Sequence, residues 1–124
     1  MSTLEVSNIT DGTDTVETGY VVNGSAKAWV NFDGTGTVAV RNSYNVSSLT
    51  DVSAGTYNVN FSSSMTAADY AISGVTAPVA AQDLDFYTDG PQNTASYARV
   101  YNSQPGIASV DAGYMLLSIH GDLA

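Results

Sequence analysis

The sequence predicts an all-β fold, an antiparallel β-sandwich or barrel of about seven to nine short strands that follows an extended N-terminal arm. Apolar and polar residues alternate with a period of two along most of the chain, which is the pattern of half-buried strands. Turn sequences rich in Gly, Pro, Asn and Asp recur about every ten residues, the spacing of sandwiches and barrels. The 14 Val and eight Tyr add β propensity.

Residues 1–25 form the predicted arm, and residues 26–124 form the sandwich or barrel domain. Ser, Thr, Asp and Gly dominate the arm, and its few apolar residues cannot bury enough surface alone. The arm is therefore either flexible or an extended strand held by neighbouring chains.

The domain opens with a predicted hairpin. Residues 26–32 alternate, the turn Asp33–Gly36 follows, and residues 37–41 complete the pair. One face of each strand is apolar and is expected to face the core: Ala26, Ala28, Val30 and Phe32 on the first strand, Val38 and Val40 on the second.

A second hairpin is predicted directly after the first. It joins residues 44–49 through the loop Asp51–Gly55 to the strand Thr56–Phe61. Tyr57, Val59 and Phe61 share the expected inward face of that strand. Further short strands are predicted between later turns, at Tyr70–Ser73, Leu84–Thr88, Tyr97–Tyr101, Ala108–Val110 and Tyr114–His120.

Large core-forming side chains are scarce, with 14 Val, six Leu, four Ile and three Phe among 124 residues. Charged residues make up 12% of the chain, against about 25% in an average domain. A core this thin predicts that the protein gains stability by burying surface against identical copies.

The charge balance excludes several classes of partner. Three basic residues against 12 acidic ones give a net charge of −9, which repels phosphate backbones, so no nucleic acid is expected. No apolar run approaches the roughly 20 residues of a membrane span.

The chain has no Cys, which removes disulfides, thiolate catalysis and Cys-based zinc sites.

Few residues could carry catalysis. The single His, His120, lies at the end of a predicted strand, and no Gly-x-Ser-x-Gly elbow is present. Most carboxylates lie in turn sequences, where they bond the local backbone. No catalytic, cofactor-binding or metal residue is therefore predicted, although a hydrolase acting on surface polysaccharide stays open as an alternative.

Calcium is the one metal that the oxygen-rich composition would suit. Asp83, Asp85 and Asp89 lie close together in sequence, but the Gly that follows does not fit the EF-hand pattern. Either a bound cation or a solvated sheet edge explains them.

Aromatic residues and one arginine form the candidate interface. Tyr97, Arg99 and Tyr101 share one strand face, and Tyr and Arg are enriched at the centres of protein interfaces. The alternative is aromatic packing within one sheet. The complete candidate set is Trp29, Tyr87, Tyr97, Arg99, Tyr101 and Tyr114.

Several strings resemble virion proteins of tailed bacteriophages, which are described as tail fibres or as virion proteins of unknown role. The residues that carry this resemblance are the segments 26–41 (AKAWVNFDGTGTVAVR), 43–51 (SYNVSSLTD) and 55–61 (GTYNVNF), the segment around Met65, the residues Asp69–Ala71 and the opening MSTLEVSNI. The resemblance covers roughly the first 75 residues. It marks a structural module and implies no catalytic residues.

The resemblance implies a symmetric, trimeric component of the virion exterior. A chain of 124 residues is short for a fibre, so a capsid decoration (cement) protein that contacts the major capsid protein or other virion proteins is the leading expectation. A tail-fibre or receptor-binding tip that touches a host-surface glycan is the main alternative. A bacterial adhesin subunit is a further one.

Overall fold

The computed structural model describes residues 1–78, 85–106 and 109–124 and confirms the all-β prediction. Two four-stranded antiparallel sheets form a sandwich, and a small two-stranded hairpin precedes them. A helix, α1 (Thr18–Gly24), and a short 3-10 turn (Gly90–Gln92) complete the elements. The strands are β1 (Asn8–Thr10), β2 (Thr15–Glu17), β3 (Ala28–Asp33), β4 (Ala39–Tyr44), β5 (Val46–Ser53), β6 (Thr56–Phe61), β7 (Ala71–Ala77), β8 (Asp85–Thr88), β9 (Tyr97–Ser103) and β10 (Tyr114–His120).

The first sheet has the strand order β4-β3-β10-β7, and the second has β5-β6-β9-β8. The last strand, β10, lies between β3 and β7, so the two ends of the domain meet in the middle of one sheet. The chain passes from β4 to β5, and therefore from one sheet to the other, through the single residue Asn45. Its φ of +55° is a left-handed conformation that Asn tolerates better than most residues.

The core lies between the sheets and is filled by the alternating inward side chains, as the sequence predicts for β3 and β6. Phe32 and Tyr57 meet edge to face across the sandwich, with ring centroids 5.1 Å apart. The buried apolar residues are Ala28, Val30, Phe32, Tyr57, Val59, Phe61, Met65, Ala98, Val100, Ala112, Met115, Leu117 and Ile119.

The first hairpin differs from its prediction in β4, which begins at Ala39 rather than residue 37 and continues to Tyr44. Asn31 pairs with Asn42 while Phe32 pairs with Val40, so Arg41 is an extra residue in the ladder. This bulge breaks the alternation at an edge strand. Val40 pairs with the buried Phe32, but it lies on the edge strand and is 43% exposed.

The second hairpin has a tighter turn than the predicted loop Asp51–Gly55. β5 continues to Ser53 and β6 begins at Thr56, so Ala54 and Gly55 alone connect them. Gly55 has a φ of +68°, and a Cβ there would lie 2.6 Å from the backbone nitrogen of Val110. Glycine is therefore required for both conformation and space.

Three later strands also differ in extent from their predictions. β7 runs to Ala77 instead of ending at Ser73, and β9 continues to Ser103. Of the predicted strand Ala108–Val110, Ser109 forms a single bridge to Ser103, and Ala108 lies outside the described residues, as does Leu84. β10 spans the predicted residues Tyr114–His120.

The N-terminal segment, residues 1–24, differs from the predicted extended arm in its local structure. It contains the β1–β2 hairpin and the helix α1. The backbone N–H of Thr18, the first residue of the helix, donates to the carbonyl oxygen of Ser7 over 2.9 Å and so connects the helix to the hairpin. The seven-residue helix was not predicted, because it is short and its β-branched and small residues show no helical periodicity. Within the described part of the chain, no helix has the length and apolarity to cross a membrane.

Candidate functional site

The structure divides the six candidate interface residues between the two outer surfaces of the sandwich. Tyr87, Tyr97, Arg99 and Tyr101 project from β8 and β9 on the outside of the second sheet; together with Asn58 on β6 they are here named the tyrosine face. Trp29 and Tyr114 project from the outside of the first sheet with Tyr44, Val75 and Leu116, here named the tryptophan face.

The alternation of β9 creates the tyrosine face. Ala98, Val100 and Asn102 are buried, which directs the intervening residues outward. Tyr101 pairs directly with Tyr87 on β8, and Arg99 pairs with Asn58 on β6. Cross-strand register, which the sequence does not reveal, therefore adds Tyr87 and Asn58 to the predicted face of β9.

Two rings on this face form a stacked pair. The centroids of Tyr87 and Tyr101 are 5.1 Å apart and their planes differ by 15°. Tyr87 remains 41% exposed because β8 is an edge strand. The neighbouring carboxylate of Asp85, whose Oδ2 accepts a hydrogen bond of 3.4 Å from the Tyr87 hydroxyl, raises the pKa of Tyr87.

Arg99 lies beside this pair in a fixed orientation. Its Nε donates to Oδ1 of Asn58 over 2.8 Å, and Asn58 is only 9% exposed. The guanidinium carbon lies 5.9 Å from the Tyr97 ring centroid. Within the described ranges no carboxylate oxygen lies within 4.0 Å of this guanidinium, although Arg41 on the opposite surface pairs with Asp33 at 3.0 Å.

The third basic side chain, Lys27, binds backbone carbonyl oxygens and not a carboxylate. Its ammonium donates to the carbonyl oxygens of Val22 and Ser25. In the parts of the chain that the structure describes, Arg99 therefore keeps donors on both terminal nitrogens, whereas one terminal nitrogen of Arg41 is bound to Asp33.

The tryptophan face is more apolar. Trp29, Leu116 and Val75 border a shallow groove of about 600 Å³ across β3, β10 and β7. At one end of the face Arg41 covers the Tyr114 ring, with its guanidinium carbon 4.1 Å from the centroid. The buried Oδ1 of Asn31 beside the groove has no hydrogen-bond partner.

The remaining residues that the sequence singled out do not converge on one another. His120 borders a cleft of about 360 Å³ with Asp69 and Asp122, but the described residues show no hydrogen bond between His120 and a carboxylate. Asp83, one of the three carboxylates of the predicted cation alternative, lies outside the described residues. Across 1–78, 85–106 and 109–124 no three acidic or His side chains cluster as metal ligands.

In the N-terminal segment the sequence indicated apolar residues that cannot be buried alone, but it did not reveal the hairpin and helix that hold them. All of its side chains are exposed except Thr18, which is half-buried. It holds eight large exposed hydrophobic residues, namely Met1, Leu4, Val6, Ile9, Val16, Tyr20, Val21 and Val22.

Comparison of the chain with protein-family models, with curated proteins and with solved structures finds no match.

Proposed function

We propose that this protein is a non-enzymatic structural component of the bacteriophage virion exterior, an assembly of identical copies that decorates and stabilises the capsid. The observation that carries the self-assembly is the N-terminal segment, which has a defined hairpin and helix but no buried side chain.

Such a segment cannot be stable by itself. A hairpin of two three-residue strands is marginal in water, and an isolated helix needs about 12–15 residues to form. Its apolar side chains face solvent in the single chain. Burial against a partner would supply the missing stabilisation, at about 25 cal/mol per Å² of apolar surface.

Identical copies are the partner that this segment fits. It contains four carboxylates and no Lys or Arg, so its contacts must be mainly apolar. Closed symmetry places the same segment from each copy around one axis, where equivalent apolar residues meet. The homotrimer is the state that the phage resemblance favours.

The tryptophan face supplies a second surface for this assembly. Its exposed Tyr44, Val75 and Tyr114 continue the apolar area around Trp29, and contiguous apolar patches of this kind mark interaction sites. In the proposed assembly this face packs on a neighbouring copy or on the major capsid protein.

Light scattering tests the assembly with two matched variants. Val21 in α1 is 44% exposed and Val52 on β5 is 42% exposed, so changing either to Asp places a similar charge at a similarly accessible position. The wild-type protein is expected at three times 12.9 kDa. Val21→Asp is expected to give a monomer and Val52→Asp a trimer. A wild-type monomer, or equal behaviour of the two variants, would contradict the proposal.

Electron microscopy of labelled particles tests the location. Many copies at capsid symmetry axes are expected. A few copies at the tail would favour the second candidate function, a receptor-binding tip, which the polar tyrosine face with its free Arg99 donors supports.

A further inference from the structure

We infer that the tyrosine face is a binding surface for a carboxylate-bearing saccharide, with Arg99 as the carboxylate contact and the Tyr87–Tyr101 pair as the ring contact. This inference concerns the opposite surface from the tryptophan face and does not depend on the proposed assembly.

Arg99 is oriented by its contact with Asn58. Asn58 occupies the Nε–H, which fixes the guanidinium plane and leaves the edge formed by the two terminal nitrogens. That edge presents parallel N–H donors spaced for the two oxygens of a carboxylate. Because Asn58 is almost fully buried, the donor edge is held in place before any ligand arrives, which lowers the entropic cost of binding.

Aromatic rings, hydroxyls and an amide surround Arg99 on this face. Tyr87 and Tyr101 present stacked rings and hydroxyl groups within two residues of Arg99 along β9 and its neighbour. Asn60 and Ser48 continue the outer surface on β6 and β5, joined by a hydrogen bond of 3.0 Å. The C–H face of a sugar ring can pack on an aromatic ring, and its hydroxyl groups can hydrogen-bond to protein amides and hydroxyls. A sugar acid therefore matches both the tyrosine rings and the Arg99 donors of this surface.

The net charge of −9 does not prevent this contact. At physiological ionic strength the Debye length is about 8 Å, so distant carboxylates of the protein are largely screened. The contact with Arg99 is direct and is weakened much less. Within the described residues no carboxylate oxygen lies within 4.0 Å of the Arg99 guanidinium. The Asp85 carboxylate of the same face accepts the Tyr87 hydroxyl, so an anion is expected at the Arg99 end of the face.

The experiment is an NMR titration of the whole ¹⁵N-labelled protein with an oligogalacturonate, compared with a neutral maltooligosaccharide of equal length. Chemical shift changes are expected at amides of β6, β8 and β9, and the neutral sugar is expected to bind at least about tenfold more weakly. Changes confined to other elements, equal binding of both sugars, or no changes at millimolar oligogalacturonate would overturn the inference.

Matched variants separate the local contact from overall charge. Arg99→Gln and Arg41→Gln each remove one positive charge, but only Arg99→Gln is expected to weaken oligogalacturonate binding, by about tenfold or more. Arg99→Lys keeps the charge without the forked donors, and its affinity for oligogalacturonate is expected to lie between those of the wild type and Arg99→Gln. Equal effects of Arg99→Gln and Arg41→Gln would contradict the inference.

Tyr87→Ala keeps the test valid if Arg99→Gln does not fold, because Tyr87 is an exposed side chain at a sheet edge. It is expected to weaken binding while the light-scattering mass stays unchanged. A loss of assembly in Tyr87→Ala or Arg99→Gln would identify the face as an interface between copies and overturn the saccharide assignment. Loss of assembly in Val21→Asp alone leaves the saccharide result unaffected.

Discussion

The hydroxyl of Tyr57 donates a hydrogen bond to the carbonyl oxygen of Gly34 over 2.9 Å and so joins the second sheet to the turn that follows β3. The same hydroxyl lies 2.9 Å from Oδ1 of Asp111, which also accepts the backbone N–H of Gly55 at 2.7 Å. The backbone of Gly34 in turn donates to Ala112 over 2.9 Å. One buried tyrosine therefore ties three loops together at this end of the sandwich.

Replacement of Gly34 by Ala is expected to destabilise the fold strongly. An added Cβ would lie 2.7 Å from Cζ of Tyr57 and 3.0 Å from the Ala112 carbonyl oxygen, so the ring or the loop must move. Overpacking of this kind costs about 1–3 kcal/mol. Chemical denaturation measures the change, with Gly90→Ala as the control because a Cβ there meets nothing within 4 Å. Equal midpoints for the two variants would contradict this account.

Alkaline pH is expected to destabilise the protein through the buried Tyr57 and the partly buried Tyr70. Burial raises the pKa of Tyr57 well above its usual value of 10.0, and burial raises that of Tyr70 to about 12. Above pH 10 the unfolded chain releases these protons while the folded chain retains them, so the free energy of unfolding falls as the pH rises. In Tyr57→Phe, denaturation curves between pH 8 and about 12 should show a shallower decline. An unchanged decline would contradict the role of Tyr57.

Asn45 is expected to stabilise the crossing between the sheets by both conformation and hydrogen bonding. Its Nδ2 donates to the carbonyl oxygens of Lys27 and Ser63, each at 3.0 Å, and its Oδ1 accepts the Ser63 N–H at 2.7 Å. Asn45→Gly loses the hydrogen bonds, worth about 1 kcal/mol each. Asn45→Ala loses the same hydrogen bonds and is destabilised by about 1 kcal/mol more, because Ala disfavours the left-handed φ. The midpoint of thermal unfolding should therefore be highest for the wild type, lower for Asn45→Gly and lowest for Asn45→Ala. A higher midpoint for Asn45→Ala than for Asn45→Gly would exclude the conformational contribution of Asn45.

The alternating pattern predicted the inward faces of β3 and β6 and the full extent of β10 because each depends on neighbours in sequence. It did not reveal that Trp29 and Arg99 lie on opposite surfaces, since strand order is set by contacts between distant segments. The bulge at Arg41 was not predicted either, because it depends on the pairing of β4 with β3. Arg99 could be named from its strand face, but its fixed donor edge depends on Asn58, 41 residues away.

The pKa of Asp33 is expected to respond more to Thr35 than to Arg41. The hydroxyl of Thr35 donates to Oδ1 of Asp33 over 2.6 Å, and this bond is the largest cause that holds the pKa of Asp33 below its usual 3.8; the Thr35 N–H comes next, and the Arg41 charge is the smallest favourable cause. Ionised Asp33 thus favours the fold above pH 3.8, and this contribution is lost as the pH falls through the lower folded pKa. NMR titration of Thr35→Ala should raise the pKa more than Arg41→Gln does, and the opposite order would contradict the assignment.

Trp29 is expected to report assembly directly, because it is the single tryptophan of the chain and is 38% exposed in the isolated protomer. Burial of the tryptophan face against a neighbour removes water from the indole, which shifts its emission to shorter wavelength and protects it from iodide. Both signals should follow the light-scattering mass as the protein is diluted. Val21→Asp should show the exposed signal at every concentration, since that substitution lies in the N-terminal segment and leaves the indole environment of the protomer unchanged. If the wild-type trimer and the Val21→Asp monomer quench equally, the tryptophan face lies outside the interface, and the N-terminal segment alone holds the copies together.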